Sequence, residues 1–321
     1  ARGVAWKRVN CYASDIVQQL ADCDALMWHW HQLDAKAWLF ARQLTQALEA
    51  GGKHVFPNRK TAWHFDDKVG QKYLLESVGA PFPETHVFYD EDSALAWLAG
   101  APMPQVFKLR GGSGSTNVYL VRTRADAVAR VKQAFGRGHR TFDRHGYVKE
   151  KLRLLRRDKT PERLKAFVRS TGRLVVPYDI ERVRGFERGY AYFQQFLPGN
   201  DYDTRVVAIG GRAFALRRRV RPDDFRASGS ADMHYAPEDI DLAKVRVALD
   251  LADRLESQCL AVDLVDGPDG PMVLELSYGF PTGPFLDDCP GYWDRDLVWH
   301  AGRQKAQYFM VDDLVAAIEA R

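Results

Sequence analysis

The sequence predicts an α/β (α+β) chain that opens on an N-terminal unit of alternating strands and helices. Three observations carry that reading. Residues 1–66 alternate short apolar strands with helical stretches, the rhythm of a small parallel sheet. Further on, strand-like runs meet at glycine turns, at 110–117 and at Gly210-Gly211, as antiparallel hairpins do. Near the C-terminus two apolar runs, 260–265 and 273–277, carry Asp263, Glu275 and Ser277 on either side of the turn-rich Asp266-Gly-Pro-Asp-Gly-Pro271.

The elements follow in order. Val4–Val9 reads as a strand, and because the chain does not open on Met, one further strand and helix are expected upstream. A helix after Ser14 ends near Cys23, and a strand covers Ala25–Trp30. A helix from Asp34 to Ala50 stops at Gly51-Gly52, before a strand at His54–Phe56. Asp66-Asp67 caps a helix that ends at Gly79. Pro81 and Pro83 then lead into a strand at Thr85–Tyr89, with a helix near 93–99 behind it. Gln105–Lys108 and Val118–Val121 form two strands joined by a glycine loop. A largely helical stretch spans Val148–Ser170, followed by a strand at Tyr190–Leu197. Arg205–Ile209 turns at the glycine pair into a hairpin, and the last helix starts near Val311, after a loop-rich stretch at 279–291.

With 321 residues, 46% of them apolar and 27% charged, the chain is long enough for two or three domains sharing cores. No apolar run reaches the roughly 20 residues that span a bilayer, and no secretory leader opens the chain. The four cysteines are scattered and form no metal spacing, so a reduced, cytoplasmic setting is expected, with contact at the inner membrane face as a variant. The net charge of +4 is uneven. Between Arg137 and Arg188 sixteen Lys/Arg face seven Asp/Glu, a local +9 that leaves the remainder near −5. The apolar positions 148, 152 and 155 recur at helical spacing, so this segment is an amphipathic helix with a solvated basic face or a dock for an anionic partner.

A register symmetric about Asp269 places Asp263 across from Glu275, with Ser277 on the same face two residues on. Two carboxylates that close, among Leu and Val, need a cation or a proton between them. Oxygen donors alone suit Mg²⁺, which keeps waters and bridges to phosphates. Upstream, Lys108 precedes Arg110-Gly-Gly-Ser-Gly-Ser-Thr-Asn117, whose glycines allow successive amides to face an anion. It is neither a Walker loop nor a dinucleotide fingerprint. Lys68 opens the helix after Asp66-Asp67, and Arg205, Arg217, Arg218, Arg219, Arg221 and Arg226 crowd one hairpin and the loop behind it. Some of these six are expected to face phosphate.

Taken in order, these parts resemble the ATP-grasp superfamily over residues 55–280, with glutathione synthetases and the enzymes that add glutamate to ribosomal protein as the nearest likeness. The resemblance implies an N-terminal Rossmann-like unit at 1–66 and two lobes, 67–196 and 197–321, clasping ATP and Mg²⁺. It implies that Lys68 and Lys108 hold phosphates under a flap containing Gly112, Ser113, Gly114 and Ser115. Gln194, Gln195 and Leu197 match the hinge that reads adenine, and Asp201 falls where an acid holds the ribose. Arg205 and Arg226, with Arg217, become candidate catalytic cations, and Asp263, Glu275 and Ser277 become metal ligands. Ser277 and Ser228 stand where the family has Asn, which leaves one or two metals open.

The implied reaction is ligation of a carboxylate to an amine or thiol through an acyl phosphate, which asks the protein for alignment and charge neutralisation rather than covalent chemistry. The substrates are expected to be small molecules or glycans, since proteins of this look occur among polysaccharide-assembly genes. His29 and His31 lie at a strand's C-terminal end, a usual ligand crevice, and Tyr278 and Ser228 are further candidate substrate contacts. Two alternatives remain at this level: a phosphotransferase acting on a hydroxyl, and a non-catalytic polyanion binder with a vestigial nucleotide site. A homo-oligomer is compatible with all three.

Overall fold

The computed structural model describes residues 3–112, 116–221, 224–227 and 232–320. The chain begins with α1 (Ile16–Gln19), β1 (Ala25–Met27), α2 (Ala35–Ala50), β2 (His54–Phe56) and α3 (Arg59–Ala62). β1 and β2 pair in parallel, Leu26 beside Val55, and α2 covers them with Leu44 and Leu48. Asp34 caps α2 by accepting the amides of Lys36 and Ala37. Residues 4–9 are not a strand: among the described residues none pairs with them to form a ladder. β1 also stops at Met27; Trp28 still donates its amide to the Phe56 carbonyl at 2.8 Å, and the chain beyond it is irregular.

Next come α4 (Lys68–Ser77), β3 (Thr85–Phe88), α5 (Glu91–Gly100), β4 (Gln105–Lys108), β5 (Val118–Val121) and α6 (Arg124–Phe135). The basic segment holds β6 (His139–Arg140), α7 (Arg144–Arg157), α8 (Pro161–Gly172), α9 (Asp179–Arg184) and β7 (Phe186–Glu187), ahead of β8 (Ala191–Gln195). The single helical stretch expected at 148–170 is therefore two helices. Asp158 ends the first, while Thr160 and Pro161 restart the chain as N-cap and first residue of the second. Strands β3, β8, β4 and β5 form, in that order, an antiparallel sheet. One face buries Phe107, Phe193, Ala191 and Val121 under α5 and α6. By strand alternation Val106, Lys108 and Gln194 point the other way.

The remainder comprises β9 (Tyr202–Ile209), β10 (Arg212–Arg219), β11 (Met233–His234), α10 (Leu242–Arg254), β12 (Cys259–Gly267), β13 (Gly270–Ser277), α11 (Gly283–Leu286), β14 (Gly291–Trp293), β15 (Trp299–Ala301) and α12 (Ala306–Glu319). The order β13-β12-β9-β10-β14-β15 makes a large sheet, with β11 beside β10. Val206, Ala208, Leu260 and Val262 pack beneath Val245 and Ala248 of α10. Val207, Ile209, Ala261 and Phe214 pack on Trp30 and Phe65 and on Met310 and Leu314 of α12. Both faces are covered, which is why Cys259–Val262 reads as an unbroken apolar run. Among the described residues no helix is long and apolar enough to cross a membrane.

Candidate functional site

On β12 and β13, Asp263 pairs with Glu275 and Ser277 with Ala261. The turn itself is tighter than a loop centred on Asp269 suggests, since Gly267 pairs with Gly270. Continued without interruption, that register would set Asp263 opposite Leu274 and send Glu275 to the far face. Instead the partner jumps from Val273 at Leu264 to Glu275 at Asp263, leaving Leu274 as the extra residue of a bulge. The bulge returns Glu275 to the face of Asp263, and the Leu274 carbonyl lies 3.5 Å from the Lys108 ammonium.

That face of the sheet changes character along its length. Val207, Phe214 and Ala261 make its apolar end, whereas Asp203, Arg205, Arg218 and Asp263 make its charged end. Arg205 donates through Nε and Nη2 to the two oxygens of Asp263, at 2.7 and 2.8 Å. Arg218 donates to both oxygens of Asp203, at 2.7 and 2.6 Å, and lies 3.0 Å from Asp263 Oδ1. Burial favours protonation of Asp263, but the charges of Arg205 and Arg218 outweigh it and hold the carboxyl well below the usual range. Lys68 meets Glu275 at 3.1 Å. The cation that two neighbouring carboxylates demand is thus supplied in part by the protein's own arginines and lysine.

Lys108 is buried, and that desolvation lowers its ammonium to about 8, against the pull of Glu275. It lines a cavity of 640 Å³ between the two large sheets, with Val106, Leu120 and Gln194 on one wall and Asp263, Leu274 and Glu275 on the other. Gln195, Leu197, Asp201 and Arg226 complete its rim. A second cavity, of 300 Å³, shares Asp263 and Glu275 with the first and is lined by His29, His31, Arg205 and Ser277. Burial lowers the pKa of both histidines. Arg226 sits on the carboxylate of Asp224, with Nη2 donating at 2.6 Å.

Three expected positions fall elsewhere. Lys68 does not line the 640 Å³ cavity; its ammonium lies behind the cleft wall, donating to the Gly112 carbonyl at 2.8 Å as well as meeting Glu275. Arg217 is not on the carboxylate face. The pair Ile209–Arg212 fixes the hairpin so that Arg218 faces Asp203, while Arg217 pairs with Thr204 on the opposite side, 4.2 Å over the Tyr202 ring. The residue that joins the site is Arg218, and the two-residue glycine turn carries the signal that would have found it. Tyr278 is packed inside, 4.5 Å from the Phe65 ring, and donates its hydroxyl to the Trp30 carbonyl rather than facing a cavity. The Ser277 hydroxyl donates to the Gly279 carbonyl at 2.9 Å, which leaves its oxygen able to accept or ligate. Gly112 has φ +131, and a Cβ there would meet the Thr116 carbonyl at 2.7 Å, so only glycine suits that bend. Ser113, Gly114, Ser115 and Ser228 lie outside the described residues.

No protein-family model matches the sequence, and no curated protein does. Among solved structures, the chain is similar to D-alanine–D-alanine ligase from Bacillus anthracis complexed with ATP, with a TM-score of 0.54 at 13% identity, over 95% of this chain and 84% of that one. It is also similar to the ADP complex of N5-carboxyaminoimidazole ribonucleotide synthetase, with a TM-score of 0.52 at 14% identity, over 90% of this chain and 65% of that one. The fold is that of the ATP-grasp proteins. A RimK-domain ATP-grasp protein from Sphaerobacter thermophilus gives 0.49 at 20% identity, over 91% and 81%. In this chain the cleft between the two antiparallel sheets is also the place where Lys108, Asp263 and Glu275 converge.

The donor set can be tested against a divalent ion. Three of the four lone-pair positions on Asp263 are taken by guanidinium N–H groups, which leaves one, on Oδ2. Glu275 is a third exposed and keeps an oxygen beyond its contact with Lys68. Among the described residues no group of three His, Cys, Asp or Glu forms a closed metal cage. Two carboxylates and a hydroxyl, all hard oxygen donors beside an open cavity, fit a Mg²⁺ ion that completes its shell with water and phosphate.

Proposed function

We propose that the protein is an ATP- and Mg²⁺-dependent ligase that joins a carboxylate to an amine through an acyl phosphate. The observation that carries this reading is the meeting of Lys108, Arg226, Asp263 and Glu275 on the walls of one cleft between the two sheets of an ATP-grasp fold. The Bacillus anthracis ligase and the ribonucleotide synthetase of the same fold were crystallised with ATP and ADP, which supports a nucleotide in the corresponding place.

In this reading the base lies against Val106, Leu120 and Leu274 beside Gln194, Gln195 and Leu197, with Asp201 at the ribose. Lys108 neutralises phosphate oxygens, and Lys68 holds Glu275 and the base of the Gly112 flap in position. Asp263, Glu275 and Ser277 would hold the Mg²⁺, which when bound draws charge off the phosphates and orients the transferred group. Arg205 and Arg218 position Asp263. Arg226, at the rim, meets the charge that spreads over the phosphoryl group in flight.

The carboxylate enters through the cavity at His29 and His31, which shares Asp263 and Glu275 with the nucleotide cavity. Its oxygen attacks the γ-phosphorus and ADP departs with the bonding pair. An amine then attacks the acyl carbon, inorganic phosphate leaves, and the amine gives up a proton. Exclusion of water matters here, because the acyl phosphate hydrolyses readily.

The test is to supply ATP and Mg²⁺ with pools of carboxylates and amines while following ADP, phosphate and product mass. The expected result is ADP and phosphate in equal amounts only when both partners are present, with a product equal to their sum less one water. A product that retains phosphate would indicate transfer to a hydroxyl instead, and absence of ADP with every pair would contradict ligation.

A further inference from the structure

The helical segment between β6 and β7 has no part in the roles assigned so far. It rises from a two-stranded stem, His139 opposite Glu187 and Arg140 opposite Phe186, and carries α7, α8 and α9. It is tied down at both ends. Arg184 of α9 meets Asp66 at 2.5 Å, and the Asn117 side chain at the flap donates to the Thr141 carbonyl at 2.7 Å. Inside it, Arg144 donates to Glu181 at 2.7 Å, and the Phe142 ring lies 5.4 Å from Tyr147 and 5.1 Å from Tyr178. These anchors make it a fixed wall rather than a loose appendage.

Between this wall and Gly112, Thr116 and Asn117 lies a cavity of 690 Å³. Lys149, Arg153 and Arg156 reach it from α7 at i, i+4 and i+7, one helical face, and Arg184, Arg221 and Arg226 reach it from outside the helix. Asp143 and Asp224 are the only carboxylates among its described lining residues. Both are engaged: Asp143 accepts the Gly146 amide as the N-cap of α7, and Asp224 grips Arg226. The lining therefore carries a marked positive excess. Tyr119, Phe142 and Tyr147 add ring surface beside the cations.

The position matters as much as the charge. Asp224 and Arg226 line both this cavity and the nucleotide cavity, so the two open onto each other where phosphoryl transfer is proposed to occur. The volume falls within the range of a small-molecule site. Guanidiniums and an ammonium grouped around one open cavity match a phosphate better than a single carboxylate, because together they offset more than one negative charge.

We infer that this cavity binds the amine substrate of the ligation, and that this substrate carries a phosphate ester held by Lys149, Arg153 and Arg156. The inference rests on the ligase reading for the word amine, but the phosphate subsite stands or falls separately.

The experiment is a ³¹P NMR titration of inorganic phosphate, used as the probe, into the full chain with and without saturating Mg²⁺ and AMP-PNP. The expected result is phosphate binding that persists with the nucleotide analogue bound. In Lys149→Ala/Arg156→Ala it weakens at least about tenfold, while AMP-PNP affinity changes less than about twofold. Both substituted side chains are solvent-exposed, so the fold is expected to tolerate the change. Failure of wild-type protein to bind phosphate, or equal binding by the double variant, overturns the inference. Displacement of phosphate by tetraglutamate at lower concentration also overturns it, in favour of an acidic peptide. If AMP-PNP does not bind, the nucleotide reading fails, and the phosphate arm without nucleotide still decides this one.

Discussion

On the C-terminal sheet, Arg205 and Arg218 are each locked in bidentate fashion onto a buried carboxylate. In the helical segment, Lys149 and Arg156 stand exposed at the wall of a cavity whose two acids are engaged with a helix cap and with Arg226. The first group is compensated inside the protein, at the cost of desolvating every member, and its role is to fix Asp263 in place. The second has no carboxylate partner among the described residues and is held in register by a helix, which costs little because water still reaches it. The difference separates arginines that shape a site from cations that await a ligand, and it gives each group a distinct response to substitution.

The largest expected effect is on stability. Arg218→Met leaves the Asp203 carboxylate buried without its bidentate partner and should cost about 3–5 kcal/mol in equilibrium denaturation. A loss below about 1 kcal/mol would show that the pair is not desolvated as described. Next is Arg226→Ala, which should lower ADP formation about 10²–10³-fold while leaving nucleotide binding nearly intact. An equal fall in binding would move Arg226 out of the transfer step and into the ground state.

Lys108 offers a pH test of the same contrast. Its burial places the ammonium at about 8, below the ordinary lysine value of 10.5, so the empty protein loses that charge as pH rises through 8. Phosphate binding needs the charged form and must then take up a proton. Affinity for Mg²⁺ and AMP-PNP should therefore be flat below pH 8 and fall up to about tenfold per unit above it. The slope should vanish in Lys108→Met. The smallest effect is that of Lys149→Ala or Arg156→Ala on stability, expected within about 0.5 kcal/mol of wild type. A larger loss from either would mean that the segment's cations are structural after all.

Much of this contrast is readable in the sequence, and the rest depends on register and distant contact. Asp263 and Glu275 stand out because each interrupts an apolar run beside a turn, and a symmetric loop pairs them. The true turn is shorter, and only the bulge at Leu274 restores the pair, a compensation no residue in the strand announces. Arg217 and Arg218 differ by one position and hence by a whole face of the sheet. The glycine turn settles which is which once Ile209 is set against Arg212. Tyr278, beside a predicted ligand strand, turns inward because Trp30 and Phe65 leave it a buried carbonyl to bind. The basic segment is visible as charge, but its cavity depends on Arg184 reaching Asp66 across 118 positions, which periodicity cannot show.

The proposed reaction requires Lys108, Asp263 and Glu275 to act on one triphosphate. The direct measurement is calorimetric titration of AMP-PNP with Mg²⁺ into wild-type protein and into Lys108→Met and Asp263→Asn. Saturable one-to-one binding by the wild type, weakened at least about tenfold in each variant, is the predicted result. Absence of binding by the wild type, or equal affinity in all three proteins, would contradict it.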